Sequence, residues 1–141
     1  MIVVLTSFKQ STKLSGLKYS IARWQPKQYS YPELDIFTHP YMLRDFGGDV
    51  QAFYGAVSSL FQTRLYEIEQ WLEQSTDSYP SILCCWCPYS SVSRAQIKEF
   101  GTFVCHSEVL APLLGGYGIE VFRDPDRTRL CVKAQEGLLH A

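Results

Sequence analysis

Apolar and polar positions along the chain form short apolar runs and one long periodic segment. Segments predicted as strands lie at Ile2–Leu5, Leu17–Ala22, Ile82–Cys87 and Ile119–Phe122. The first and third are continuous apolar runs, and the first is typical of a strand buried on both faces. Strands that alternate with helical segments are typical of an α/β domain with a mostly parallel sheet. The sequence therefore predicts a single α/β domain, a short sheet flanked by helices, over residues 1–141.

Three helices are predicted from apolar periodicity and from residues that start or stop helices. The longest runs from Val50 to about Glu73, with Asp49 as its N-cap and apolar residues recurring every three or four positions. We interpret this apolar stripe as core. Further helices are predicted at Ser93–Phe100, which opens with capping-box spacing, and at Ser107–Leu114, where Pro112 is expected to kink or shorten the helix.

The remaining segments are predicted as connections. Lys9–Gly16 is polar, whereas Tyr29–Pro40 carries prolines and alternating aromatic residues. The second segment fits an ordered irregular loop packed by its own rings, and equally a plain connector. Leu130–Val132 is a candidate edge strand, and the residues from about 133 onward are expected to form a loose tail.

Composition and charge narrow the functional classes. A chain of 141 residues with 46% hydrophobic and 19% charged residues has the composition of a globular protein. Thirteen basic and fourteen acidic residues give a net charge of −1, and no dense basic block is present, which argues against general nucleic-acid binding.

Targeting signals and cysteine usage indicate the compartment. No segment approaches the roughly 18 consecutive apolar residues of a membrane span, and Met1–Leu5 lacks the charged start of a signal peptide. The five cysteines are odd in number, and three of them crowd between Cys84 and Cys87. This is a poor disulfide framework, so a reducing cytoplasm is predicted.

The stretch from Ile82 to Leu114 is the richest in reactive side chains. It contains four of the five cysteines, and Cys105 and His106 lie where a helix is predicted to begin. Helix N-termini favour anions and lower the pKa of a thiol. We therefore predict Cys105 as a nucleophile and His106 as its acid/base partner. The alternative is that Cys105 is a small buried apolar residue and His106 a capping or hydrogen-bonding residue.

Further ligand-binding residues are predicted from the rule that parallel sheets bind ligands beyond the carboxyl ends of their strands. Arg23 would bind an anionic group, and Trp24 would stack on a ring. The predicted ligand is small and anionic, with a nucleotide or nucleoside derivative as the leading class. A non-enzymatic module that binds a protein partner is the main alternative. The predicted ligand-binding residues are Thr6, Ser7, Arg23, Trp24, Cys87 and Ser107.

A small zinc protein is the third interpretation. Cys84 and Cys87 have Cys-x-x-Cys spacing, and Cys105 and His106 add further zinc-ligand types. Side chains alternate along a strand, so Cys84 and Cys87 are expected to point to opposite faces of the sheet. We therefore predict no metal site, identify no cofactor, and assign Cys84 to the core. His39 has no supporting cluster in the sequence.

Several pieces of the chain together share the residue pattern of one known family. The amino-terminal pieces surround the first two predicted strands, and the carboxyl-terminal pieces surround the Cys-His pair. The matching pieces are Leu5–Ser7, Tyr19–Arg23, Pro26, Ile82–Cys84, Phe103–His106 and Val109–Ala111.

These pieces resemble the domain of unknown function 488 family, in which a strand ending near a cysteine leads to a Cys-His dipeptide that opens a helix. The chain departs from that pattern at Trp86, where the family has an acidic residue, and at Ser107, where it has arginine. A polar insert spans Tyr89–Thr102. If the missing residues belong to an active site, this protein would bind without catalysing.

The resemblance implies a Rossmann-like arrangement of layers and no settled reaction. It therefore bears more on where a site would lie than on what the site does. Small proteins of this kind also resemble proteins carried by phages and other mobile elements.

Overall fold

Four strands form one all-parallel sheet in the computed structural model, which describes residues 1–75, 79–86, 91–102 and 104–123. The strands are β1 (Ile2–Ser7), β2 (Leu17–Ser20), β3 (Ser81–Cys85) and β4 (Glu120–Arg123). Their spatial order is β2-β3-β1-β4, and every pairing is parallel. The prediction of an α/β fold with a parallel sheet and helices is confirmed.

Five α-helices accompany the sheet within the described residues. They are α1 (Phe8–Ser11), α2 (Val50–Thr63), α3 (Leu65–Gln74), α4 (Ser91–Phe100) and α5 (Ser107–Gly115). Two single-turn 3-10 helices, Asp35–Phe37 and Leu43–Phe46, lie in the connection between β2 and α2. Across the described part of the chain, none of these helices has the length and apolar character needed to cross a membrane.

The prediction of one continuous helix to Glu73 is wrong, because the helix is interrupted at Arg64. Arg64 leaves the helical region with φ −107° and ψ 12°. Its guanidinium donates hydrogen bonds to the carbonyls of Asp35, Ile36 and Thr38. Apolar spacing continues through the break, so the sequence pattern does not indicate it. The hydrogen bonds of Arg64 connect the loop before α2 to the helices.

The segment predicted as a polar connection after β1 starts with a helical turn instead. The Ser7 hydroxyl accepts a hydrogen bond from the Gln10 N–H (3.1 Å) and caps α1. Helix α4 begins at Ser91, two residues before the predicted start, and Gly101 follows it with φ +73°. Helix α5 starts where predicted and continues through Pro112 to Gly115.

Two apolar clusters lie on the two faces of the sheet, because side chains alternate along each strand. On one face, Val4, Ile82 and Cys84 pack with Phe8 and Leu14. The other face forms the larger cluster with the helices. Its fully buried members include Val3, Leu83, Phe37, Val57, Phe61, Ile68, Leu110 and Leu114.

The sequence interpretation of Cys84 and of the long apolar stripe as core is confirmed. Cys84 is fully buried, and Phe53, Val57, Phe61 and Ile68 of the stripe are all buried.

The loop after β2 is ordered by its aromatic rings. Tyr29 and Tyr31 stack near the ring of Phe8, with ring centroids 5.4 and 6.3 Å away. Phe37 is fully buried and packs edge-on against Phe61 and Trp71. The loop is packed by its aromatic rings, as predicted, but mostly against rings outside it. Within the loop, Tyr29 and Tyr31 contact each other with ring centroids 5.7 Å apart. The expected strand at 130–132 and the expected tail from 133 lie outside the described residues.

Candidate functional site

A cavity of about 370 Å³ opens beyond the carboxyl ends of β2 and β3. Those strands are neighbours in the sheet, so the residues that follow each of them meet there. The loop before α2, helix α4 and the start of α5 complete the walls. The lining residues are Ala22, Arg23, Trp24, His39, Tyr41, Met42, Leu43, Arg44, Phe53, Cys85, Trp86, Ala95, Gln96, Glu99, Phe100, Val104, Cys105 and His106.

The start of α5 is held at the cavity by backbone and apolar contacts. The Val104 N–H donates to the Gln96 side-chain oxygen of α4 (2.8 Å), and the Glu108 N–H donates to the Cys105 carbonyl (3.1 Å). Leu110 on α5 is fully buried in the larger cluster. This anchoring places the Cys105 and His106 side chains at the cavity wall.

Two cysteine side chains that are not joined by a disulfide face each other at the cavity. The Cys85 and Cys105 sulfur atoms are 3.3 Å apart, which is hydrogen-bonding distance for sulfur. Cys85 ends β3 and is buried, whereas Cys105 is half-buried. The Ser107 hydroxyl also donates a hydrogen bond to the Cys105 sulfur (3.2 Å). The Cys105 sulfur therefore has donors on two sides.

These contacts favour the thiolate form of Cys105. The hydrogen bond with Cys85 lowers the pKa of Cys105 well below its ordinary value, and this outweighs the opposing effect of burial. The neighbouring imidazole of His106 and the hydroxyl of Ser107 lower the pKa further. Cys84 behaves in the opposite way, because burial raises its pKa to about 12. Of these two cysteines, Cys105 is the one suited to nucleophilic attack.

A second histidine completes the polar wall. The His39 and His106 rings lie edge to face with centroids 4.7 Å apart. The Tyr41 N–H donates to His39 Nδ1 (3.2 Å), so a neutral His39 carries its proton on Nε2. Burial lowers the pKa of His39 to about 3, and the nearby charge of His106 acts in the same direction. His39 is therefore neutral near pH 7.

The neutral state of His39 gives a testable dependence of stability on pH. In the unfolded chain histidine titrates near pH 6.5. Below that pH, the unfolded state therefore binds a proton at His39 that the folded state does not bind. The free energy of unfolding is therefore expected to fall as the pH drops from about 6.5 towards 3, by up to about 1.4 kcal/mol per pH unit from this residue.

Urea denaturation at about pH 7 and about pH 5 measures this contribution. The variant His39→Phe keeps an aromatic ring and removes the titration, so its stability should fall less over that interval than that of the unmodified protein. Equal losses in the two proteins would contradict the prediction.

His106 is a buried polar side chain with an open hydrogen-bonding position. Only 5% of its surface is exposed, and its Nε2 has no hydrogen-bond partner among the described residues. Buried polar atoms normally have partners, because leaving one unpaired costs about 1–3 kcal/mol. Since His106 lines the cavity, a bound molecule could satisfy this nitrogen.

Aromatic and charged side chains form the cavity rim. The Trp24 indole is 54% exposed and packs edge-on against Trp86, with ring centroids 4.8 Å apart. Arg44 and Glu99 form a two-bond ion pair (2.7 and 3.2 Å) that joins the second 3-10 helix to α4. Arg23 is exposed and also lines the cavity. The rim thus offers one ring surface, two guanidinium groups and one carboxylate.

The structure brings together some of the residues predicted from the sequence. Arg23, Trp24, Cys105 and His106 all line the cavity, and Ser107 contacts Cys105 from behind it.

The other predicted ligand-binding residues either lie away from the cavity or fall outside the residues that the structure describes. Thr6 and Ser7 are buried at the end of β1 and do not line the cavity. The Thr6 carbonyl lies 3.8 Å from the Cys85 sulfur and is the alternative acceptor for its single thiol proton. Cys87 lies outside the described residues. Within the described ranges, no group of three or more His, Cys, Asp or Glu side chains is arranged to hold a metal ion.

Several lining residues were not predicted from the sequence. His39, Arg44 and Glu99 belong to segments with no local motif, and they reach the cavity only through tertiary packing. Cys85 follows Cys84 on the predicted strand, so alternation places the two side chains on opposite faces of the sheet. No signal in the sequence indicated that Cys85 would meet Cys105. In comparisons with known proteins, no family model, no curated sequence and no solved structure matches this chain.

Proposed function

We propose that the cavity binds a small anionic molecule with a planar ring, a nucleotide or nucleoside derivative, and that Cys105 acts on it as a nucleophile. The observation that carries this proposal is the meeting of a thiol with a lowered pKa, an unpaired buried imidazole nitrogen and a guanidinium group at one cavity. Such convergence of polar groups in a cavity is typical of ligand sites.

The rim supports the ligand class. A cavity of about 370 Å³ lies within the usual range for small-molecule sites, roughly 300–1,000 Å³. The exposed Trp24 indole offers a face for a ring, and Arg23 offers paired N–H donors for a phosphate or carboxylate. The Arg44 guanidinium is paired with Glu99, so it would bind a ligand only by exchanging that partner.

The inner wall supports the chemistry. The Cys105 thiolate would attack an electrophilic atom of the ligand, and His106 would move a proton to or from the leaving or attacking group. Neutral His39, whose ring lies edge to face with that of His106, would add its Nε2–H as a further donor. These roles need no group other than the side chains of this chain.

We further propose that the chain is a divergent member of the domain of unknown function 488 family. Support comes from α5, which begins directly after Cys105 and His106, as that family's pattern implies. Ser107 stands in place of the family's arginine and donates to the Cys105 sulfur. Anion binding would then fall to Arg23 from the loop after β2.

A protein-binding role is the second candidate, and the rim carries an observation in its favour. Trp24 and Met42 are 54% and 47% exposed, and both line the cavity. Exposed aromatic and methionine side chains are enriched where proteins bind partners. In this case Cys105 would be a structural residue with no special reactivity.

The rate of alkylation of the native protein by iodoacetamide, measured across pH, tests the nucleophile. We expect Cys105, located by peptide mass spectrometry, to react with an apparent pKa well below the free-thiol value of about 8.5. The variant Ser107→Ala removes one donor and should raise that pKa. Cys84 is the internal control and should stay unmodified. If no cysteine reacts until the protein unfolds, the nucleophile is ruled out and the protein-binding role is favoured.

A further inference from the structure

We propose that Cys85 and Cys105 form a reversible disulfide bond, so that this pair is a site of oxidative modification at the cavity. The two sulfur atoms are 3.3 Å apart, and neither cysteine is in a disulfide. A disulfide requires about 2.05 Å between sulfur atoms. The pair therefore needs an approach of only about 1 Å, which small rotations of the two side chains provide.

The fold selects this pair over the adjacent cysteine. Cys84 and Cys85 are neighbours on β3, so their side chains lie on opposite faces of the sheet. Cys84 packs with Val4 and Ile82 in the smaller cluster, and Cys85 belongs to the larger one with Cys105. A bridge between Cys84 and Cys105 would have to pass through the sheet.

The two cysteines differ in access, and this sets the order of events. Cys105 is half-buried and lines the cavity, so a small oxidant can reach it. Cys85 is 7% exposed and lies behind it at the end of the central strand. The lowered pKa of Cys105 keeps its sulfur in the reactive form. Cys105 therefore reacts first, and Cys85 resolves the product.

The oxidant in the proposed reaction is a low-molecular-weight disulfide, which accepts the two electrons that the protein loses. The Cys105 thiolate attacks one sulfur of that molecule, forms a mixed disulfide and releases the first thiolate. Cys85 then gives up its proton to the released thiolate, attacks the Cys105 sulfur and releases the second thiolate. The protein loses two electrons and the Cys85 proton, and the small disulfide becomes one thiol and one thiolate. The thiolate takes up from solvent the equivalent of the proton that Cys105 lost when it ionised.

The bridge would switch off the proposed nucleophile. It removes the Cys105 thiolate and also the Cys85 thiol proton, which is shared between the Cys105 sulfur and the Thr6 carbonyl. The inference rests on the positions of the two thiols and not on the identity of the ligand. Formation of the bridge without nucleotide binding would leave the inference intact and contradict only the ligand class.

Incubation of the native full-length chain with oxidised glutathione, followed by peptide mapping without reduction, tests the inference. We expect one internal disulfide, Cys85–Cys105, release of about two glutathione thiols per chain, and full reversal by dithiothreitol. Persistence of Cys105 as a glutathione adduct, a bridge to any other cysteine, no reaction, or failure to reverse would each overturn the inference.

Variants separate the two steps of the reaction. Cys85→Ser should stop the reaction at the Cys105–glutathione adduct, with about half the thiol release of the unmodified protein. Cys84→Ser and Cys87→Ser are the matched controls, and the Cys85–Cys105 bridge should form in both. Mapping of the unmodified protein decides the question even if a variant fails to fold. Alkylation of Cys105 without any bridge would contradict this inference alone.

Discussion

Arg23→Gln is expected to weaken binding of a nucleoside monophosphate about tenfold or more, because a hydrogen bond to a charged group contributes about 1.5–3 kcal/mol. Arg23 lines the cavity and carries no ion pair within the described residues. Its charge also contributes to lowering the pKa of His39. Isothermal titration calorimetry of the full chain measures the change in affinity.

Two further variants make the test of Arg23 specific. Lys9→Gln removes a positive charge from an exposed side chain of α1 that does not line the cavity, and should leave the affinity unchanged. Glu99→Gln removes a negative charge from the rim and frees Arg44, so it should strengthen binding. If Arg23→Gln and Lys9→Gln weaken binding equally, the effect depends on the net charge of the protein and not on Arg23. This result would contradict a site at this cavity.

Phe37→Ala is expected to lower the free energy of unfolding by about 3–5 kcal/mol, the usual cost of removing a buried phenylalanine ring. Phe37 is fully buried and packs edge-on against Phe61 and Trp71. It also fixes the loop that carries His39 two residues later. Urea denaturation should therefore show the loss of stability. The rate of Cys105 alkylation should also change, because the loop that carries His39 forms part of the cavity wall.

Tyr66→Ala is the matched control for the loss of an aromatic ring. Tyr66 lies on α3 and is 71% exposed, so its removal should change stability by no more than about 0.5 kcal/mol. A loss of less than about 1 kcal/mol in Phe37→Ala would contradict the assignment of this ring to the core. Similar losses in both variants would do the same.

Local patterns account for the parts of the site that could be predicted. Apolar runs placed the strands, and the rule on strand ends pointed to Arg23 and Trp24 beyond β2. The position of Cys105 and His106 at the start of α5 followed from end signals in the neighbouring sequence. The place of Cys84 in an apolar strand assigned it to the core, where it is fully buried.

Contacts between distant segments account for what could not be predicted. His39 lies in an irregular loop with no periodic pattern, and the Arg64 hydrogen bonds that hold this loop come from the end of α2. The sequence also does not indicate the break in the predicted long helix, because the apolar spacing continues across it. The Arg44–Glu99 pair joins residues that no local rule connects.

The sequence by itself determined the order of the four strands along the chain, the burial of Cys84 and the helix that begins after Cys105 and His106. These features depend on periodicity and end signals that act over a few residues. Tertiary structure alone decided that Cys85 faces Cys105 and that His39 lies against His106. The physical reason is that such contacts arise from the order of strands in the sheet and from packing between segments far apart in the chain.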